Sequence, residues 1–418
     1  MADPIAADAV WDTASYRIAE MYWLLEAKRL NELALIQPES EEFKRSAARY
    51  QAANEALYGK PDKEITANVY GEIFAQIDAK ALHPTAQVLY DELLDGTIVY
   101  IGSEPVHVPG ARGKSNGRLP ADIKEKVRVF GEVIEEDFAD SRLLLEEYWN
   151  EVVISRAEEL GEKPGYTIHD MEILFSAVHQ LRDPENKAHI SVVIHPDSSQ
   201  LAWDTPSMSV RIGENRAPIT SIDDMFAKVI HESEIHAGKA RAGLQTELPI
   251  LGTGVYTDAN DGERADYLTH EEGIASLAEI AVDSSFSKWK PLHISRYLAG
   301  ATAYQGMDFR QSFEVNWRAR VLMTVKSGEP LNDSIINKEK RQAYISVTRI
   351  YRGTPTHLAG GPVLTFNKDL AYLPGKLEAL NFLDRVGDDK DEIRRSLRAK
   401  IDPNNPRQYE LMRRYEKV

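Results

Sequence analysis

Apolar residues recur at helical spacing through most of the first 165 positions. Across residues 11–36 they fall at Ile18, Met21, Tyr22, Leu25, Leu30 and Leu33 with polar residues between, a period that predicts a helix. Pro38-Glu39-Ser40 ends it and opens a second helix through Phe43, Ala47 and Ala53. Lys60-Pro61-Asp62 interrupts again before Ile65, Val69, Ile73 and Ile77 resume the period. Residues 102–120 are rich in Gly, Pro and Ser, have no apolar period and read as an exposed loop. Helical spacing returns over 121–160, with many glutamates on a solvated face.

The pattern changes near Gly165. After a helix around 171–181, His189-Ile190-Ser191-Val192-Val193-Ile194 is a short β-branched run ended by Pro196. Met208, Val210 and Ile212 then alternate with Ser209 and Arg211, predicting a second strand. Thr220 or Ser221 caps the next helix, whose first turn carries Asp223 and Asp224 as the helix dipole prefers. That helix ends by Gly243, and a loop through Pro249, Gly252 and Gly254 leads to another. Further helices are predicted around 294–304, 313–325, 335–351 and 370–383. The fold class expected is α+β, predominantly α-helical, with a small β-sheet beside the helix that follows Ser221. A helical N-terminal region, 1–165, would pack on a catalytic part, 166–418.

Length and charge narrow the possibilities. At 418 residues and 47.0 kDa, the chain exceeds what one core usually holds, so one large or two intimately packed domains are expected. No run of 18 apolar residues occurs, which argues against a membrane span. Met1-Ala2-Asp3-Pro4 lacks the features of a signal peptide. Without cysteine there are no disulfides, cysteine nucleophiles or cysteine-bound zinc, and a cytoplasmic location is the default expectation. The net charge of −16 disfavours nucleic-acid binding.

The candidate chemistry lies in two stretches, Ile230-His231-Glu232-Ser233-Glu234-Ile235-His236-Ala237-Gly238 and His270-Glu271-Glu272-Gly273-Ile274-Ala275. Catalytic zinc takes three protein ligands from neutral imidazole and carboxylate and keeps one position open. His231, His236 and Glu272 would supply the three, and Glu232 would take a proton beside the open position. The familiar zinc-protease helix has its histidines at i and i+4. Here the second comes at i+5, which an ideal α-helix would turn roughly 140° away from the first. One widened π-type turn would return both rings to one side. Alternatively, His236 belongs to the buried face and His231 merely points outward. The second stretch also has a metal-free reading, since Thr269-His270-Glu271-Glu272 fits a capping box. Against that, Asp261, Glu263, Asp266 and Tyr267 could begin the same helix earlier and leave Glu272 in its interior. His270 could also be a ligand, but it reads first as a bystander at a helix surface.

At these residues the chain resembles the tyrosine carboxypeptidases related to the microtubule-associated enzyme, which carry His-Glu-x-x-x-His and (Gln/Glu)-Glu-Gly-Leu-Ala. Three further stretches match in order: Leu57-Tyr58-Gly59-Lys60-Pro61, Thr348-Arg349-Ile350-Tyr351-Arg352-Gly353, and the run from Phe366 through Lys368 to Leu373. The resemblance covers about residues 57–385. It implies that His231, His236 and Glu272 bind Zn2+, that Glu232 is the general base, and that the fold is zincin-like. It also implies a substrate with a peptide or protein C-terminus, from which a Tyr or Phe is removed. Ser233-Glu234-Ile235 replaces the family's usual Ile-Gly-Thr, so Glu234 would either alter the surroundings of the metal or face solvent.

A carboxypeptidase needs a cation for the terminal carboxylate. Arg352 and Lys368 are the first candidates, and Tyr351 is a candidate oxyanion donor. A surface ion pair or a helix C-cap contact explains either cation at least as well, and Tyr351 equally fits a core aromatic. The eukaryotic relative trims the acidic tail of tubulin, but that substrate is not expected here, because an acidic chain would repel it unless its cleft were locally basic. A zinc dipeptidyl-peptidase, a zinc endopeptidase and an inactive helical binding protein that retains the motif remain alternatives.

Overall fold

The computed structural model describes residues 4–38, 40–257, 266–283, 289–356 and 364–416. Among the described residues the chain is mostly helical with two small sheets, as an α+β reading requires. Its contacts divide it into two units assembled from separate stretches. One comprises Met1–Ser15, Asp122–Lys288 and Gly375–Val418; the other comprises Tyr16–Ala121 and Trp289–Pro374. These units do not divide at residue 165. No helix among the described residues is long and apolar enough to cross a membrane.

In the second unit, helices Glu41–Tyr58 and Lys63–Asp78 begin at Ser40 and Asp62, whose side chains accept from the Phe43 and Ile65 amides. Each cap satisfies a donor that the first helical turn leaves unpaired. Trp23, Phe43, Tyr50, Leu57 and Tyr58 form part of one buried cluster, with Trp23 stacked on Tyr50 and edge-on to Tyr58. The loop expected over 102–120 is half wrong. Glu104–Pro109 is a strand, antiparallel to Gly96–Ile101. Pro105 and Pro109 disguise it, but a two-stranded ribbon consists only of edges, where proline is tolerated. The turn between the strands uses Gly102 at φ 61°, a left-handed conformation that costs glycine little.

In the first unit, Ser191–His195 runs parallel to Ser209–Gly213, which also pairs antiparallel with Leu201–Asp204. The central strand is buried at Val210 and Ile212, consistent with its β-branched residues. The first strand starts two residues later than expected because His189 adopts φ 52°, outside the β region. Leu201–Asp204 was not anticipated; neither were the helices Lys390–Ser396 and Pro406–Tyr415. Leu411 and Met412 of the latter pack in a buried cluster with Leu251, Val255 and Ile401, drawing the C-terminal stretch into this unit.

Candidate metal centre

Ser221, not Thr220, caps the helix Ile222–Val229, accepting from the Asp224 amide at 3.0 Å. Ile230–His236 then widens into a π-helical turn, and the α-helix resumes over Ala237–Leu244. The His231 and His236 rings consequently lie with centroids 5.0 Å apart. This is the distortion that the i+5 spacing demands, and it removes the reading in which His231 points outward: only 12% of its side chain is exposed.

The helix Tyr267–Val282 supplies the carboxylates. Asp266 is its N-cap, accepting from the Thr269 amide at 2.9 Å, so Glu272 lies inside the helix and the capping-box reading falls. Asp261 and Glu263 lie outside the described residues. His231, His236 and Glu272 each bring one ligand atom into a group whose members all lie within 4.8 Å of one another. His236 Nε2 stands 3.9 Å from Glu272 Oε2, too far for the two to hydrogen-bond but suited to sharing an ion.

A carboxylate from the same helix also faces each ring. His236 Nδ1 lies 2.6 Å from Glu271 Oε1. His231 Nδ1 lies 3.0 Å from Glu279 Oε1, within ion-pair range though off the line of a hydrogen bond. A carboxylate behind a ligating histidine is the usual way to fix its ring and tautomer, so these residues fit a metal. Burial disfavours the His231 cation, but Glu232 and Glu279 outweigh it and push the imidazole up to about 9. Burial dominates at His236 and lowers it. Against burial, Lys400 and His236 hold Glu271 down at about 2. Lys228 and His231 likewise hold Glu279 well below the usual carboxylate range.

Glu232 is 6% exposed, and its Oε2 accepts the Trp203 amide at 2.7 Å. The strand touching the π-turn is therefore Leu201–Asp204, on the sheet's edge, whereas the anticipated Ser209–Gly213 is central. Gly273, beside Glu272, permits a close chain crossing: a Cβ there would run into the Gly375 carbonyl.

One alternative falls and one expectation needs correction. Glu234 does not face solvent; it is buried, 2.6 Å from Ser141 Oγ and 3.0 Å from Arg182 Nε. His270 is fully buried rather than at a surface, its ring edge-on to Phe382 and neither nitrogen hydrogen-bonded. Tyr351, Arg352 and Lys368 belong to the second unit and are engaged there. Tyr351 donates to the Met307 carbonyl at 2.8 Å, Arg352 covers the Phe366 ring 3.3 Å from Asp369, and Lys368 lies 3.8 Å from Glu20.

Sequence reading missed Glu271 and Glu279 as ring-orienting groups, although Glu279 follows Glu272 by seven residues and so shares its helix face. It also missed Arg216, for which no local signal exists. Burial disfavours the charge on this half-buried guanidinium, and the carboxylates of Glu232 and Glu279 offset that only in part. Its only side-chain hydrogen bond among the described residues is a 3.4 Å contact to the Ser199 carbonyl, and its Nε is buried without a partner.

A family model described as microtubule-associated tyrosine carboxypeptidase matches residues 186–403. That span is just over half of the 418 residues and contains every group of the candidate centre. The chain is thus a member of a peptidase-type enzyme family. It belongs to the microtubule-associated tyrosine carboxypeptidase family. No curated protein and no solved structure matches it.

Proposed function

We propose that the chain is a zinc-dependent, zincin-like carboxypeptidase that removes a C-terminal residue, preferably Tyr or Phe, from a peptide or protein. Family membership supports carboxypeptidase chemistry and the aromatic preference. The observation that carries the metal part is the convergence of His231, His236 and Glu272, with Glu271 and Glu279 behind the two rings. These three side chains would hold the zinc, which when bound polarises a scissile carbonyl and acidifies water.

Glu232 is the proton carrier. It accepts a proton from the attacking water and delivers it to the leaving amine. The Trp203 amide fixes one of its oxygens, orienting the other for that transfer. For the substrate's terminal carboxylate we assign Arg216 rather than Arg352 or Lys368, because it belongs to the same unit as Glu232, its Nε is buried without a partner, and it forms no ion pair among the described residues.

The test pairs metal analysis with a peptide ending in Tyr, offered as free acid and as amide. One zinc per chain and release of a single residue are expected. Losing the charge-assisted bond to the carboxylate, about 1.5–3 kcal/mol, should make the amide roughly ten- to several-hundredfold slower, and Arg216→Ala should shrink that difference. Equal cleavage of acid and amide at internal bonds would indicate an endopeptidase, and dipeptides from the N-terminus a dipeptidyl-peptidase.

A further inference from the structure

Each metal-side histidine is backed by a glutamate, and each of those glutamates is backed by a lysine. Lys228 Nζ lies 2.6 Å from Glu279 Oε1, the same oxygen that faces His231. Lys400 Nζ bonds Glu271 Oε1, the oxygen that faces His236, while Glu271 Oε2 is buried without a hydrogen bond. In both cases the lysine meets the working oxygen rather than the spare one. It thereby fixes which edge of the carboxylate the imidazole sees.

The two lysines arrive differently. Lys228 stands one turn before His231 on the same helix, with 27% of its side chain exposed. Lys400 comes from the C-terminal stretch, 129 positions beyond Glu271, and its side chain is 0% exposed. Its backbone is pinned on both sides, with its amide donating to Leu251 O at 2.7 Å and its carbonyl accepting from Val255 N at 3.0 Å. Its ammonium also sits 5.6 Å from the ring centroids of Trp203 and Tyr267. A dry ion pair of this kind gives little net stability, because desolvating both charges consumes the Coulombic gain. Its geometry has a use, however, since a histidine ligand binds well only when its ring is held.

We infer that Lys228 and Lys400 are positioning residues of the metal centre, and that Lys400 makes metal affinity depend on the C-terminal stretch. This rests on the proposed zinc ligation by His231 and His236. The readout is zinc affinity of the full chain, measured by competition with a chromogenic chelator. Lys400→Met should weaken binding roughly 10- to 100-fold, the range seen when groups behind ligands are lost. Lys228→Met should have a smaller effect, because water can reach Glu279 in its place.

The double variant Lys400→Met/Glu271→Gln should recover most of the affinity. The amide carbonyl still accepts from His236 and needs no counter-charge, whereas a role in packing alone would not be rescued. Parent-like affinity in Lys400→Met, or a double variant no tighter than the single one, overturns the inference. If Lys400→Met fails to fold, the comparison moves to Glu271→Gln, which leaves the ammonium buried without a carboxylate. The double variant must then bind zinc more tightly than Glu271→Gln, and equal affinities overturn the inference. A parent that binds no zinc would instead sink the reading of the site itself.

Discussion

Replacing Glu232 by glutamine isolates proton transfer from everything else the side chain does. Glu232 Oε2 accepts the Trp203 amide at 2.7 Å, and the carbonyl oxygen of a glutamine can accept it equally. Size and burial are unchanged, so the variant should fold and load zinc like the parent. What it loses is the capacity to take a proton. Loss of a positioned general base costs about 10²–10⁴ in rate, which is about 2.7–5.4 kcal/mol of barrier at roughly 1.36 kcal/mol per factor of ten. Glu232→Ala separates the two roles, because it also strands the Trp203 amide. That half-buried donor should cost stability near the lower end of about 1–3 kcal/mol. The assay follows turnover of a free-acid peptide ending in Tyr by mass spectrometry, alongside zinc content and melting temperature. A zinc-loaded Glu232→Gln protein that turns over at the parent rate refutes the proton-carrier role. One that folds but has lost its zinc makes Glu232 a ligand and overturns the proposed set.

Three further outcomes are expected. His231→Ala, His236→Ala and Glu272→Ala should each lose zinc by elemental analysis while His270→Ala keeps it; full occupancy in Glu272→Ala would leave that residue outside the ligand set. Gly273→Ala should destabilise the protein by about 1–3 kcal/mol or more in urea titration, the range for overpacking, because its methyl meets the Gly375 carbonyl; a neutral result would show that the crossing can relax. Lys239 is fully buried without a hydrogen bond, and burial lowers its ammonium to about 8 from 10.5. The unfolded chain therefore binds more protons between about pH 8 and 10.5, and parent stability should rise across that window relative to Lys239→Met. Below pH 8 the variant should be the more stable by up to about 3 kcal/mol; parallel stability curves for the two proteins would refute the burial argument.

What could be read from the sequence was what is local. Helical period and capping residues located most helices, and the i+5 histidine spacing offered the π-turn as the way to bring both rings to one side. Failures occurred where distant chain decides. Glu234 stood open between the surroundings of the metal and solvent, and only Arg182 and Ser141, on other helices, exclude solvent. His270 looked superficial because the polar residues His270, Glu271 and Glu272 stand together. The helix that carries them is buried around most of its circumference, so it lacks the amphipathic stripe by which a surface helix is recognised. Lys400 and Trp203 touch the centre only through tertiary packing, and neither carries a sequence signal.

Why so short a motif suffices follows from the helix Tyr267–Val282. Glu271 and Glu272 are adjacent, about 100° apart around the axis, and they address opposite nitrogens of one imidazole. Glu271 Oε1 lies at Nδ1 of His236, and Glu272 Oε2 approaches its Nε2. Gly273 follows because the chain at Gly375 crosses too closely for any side chain. Three consecutive residues thus meet three separate physical demands: facing one edge of a ring, bringing an oxygen toward the other edge where the proposed metal would sit, and admitting a close crossing. Two turns on from Glu272, Glu279 serves the other histidine. An uncompensated buried carboxylate costs several kcal/mol, so the motif cannot stand alone. Its countercharges are Lys228, on the neighbouring helix, and Lys400, far along the chain. Transplanting the two motifs without Lys400 would carry over the donor atoms and leave Glu271 buried without the charge that holds it in place.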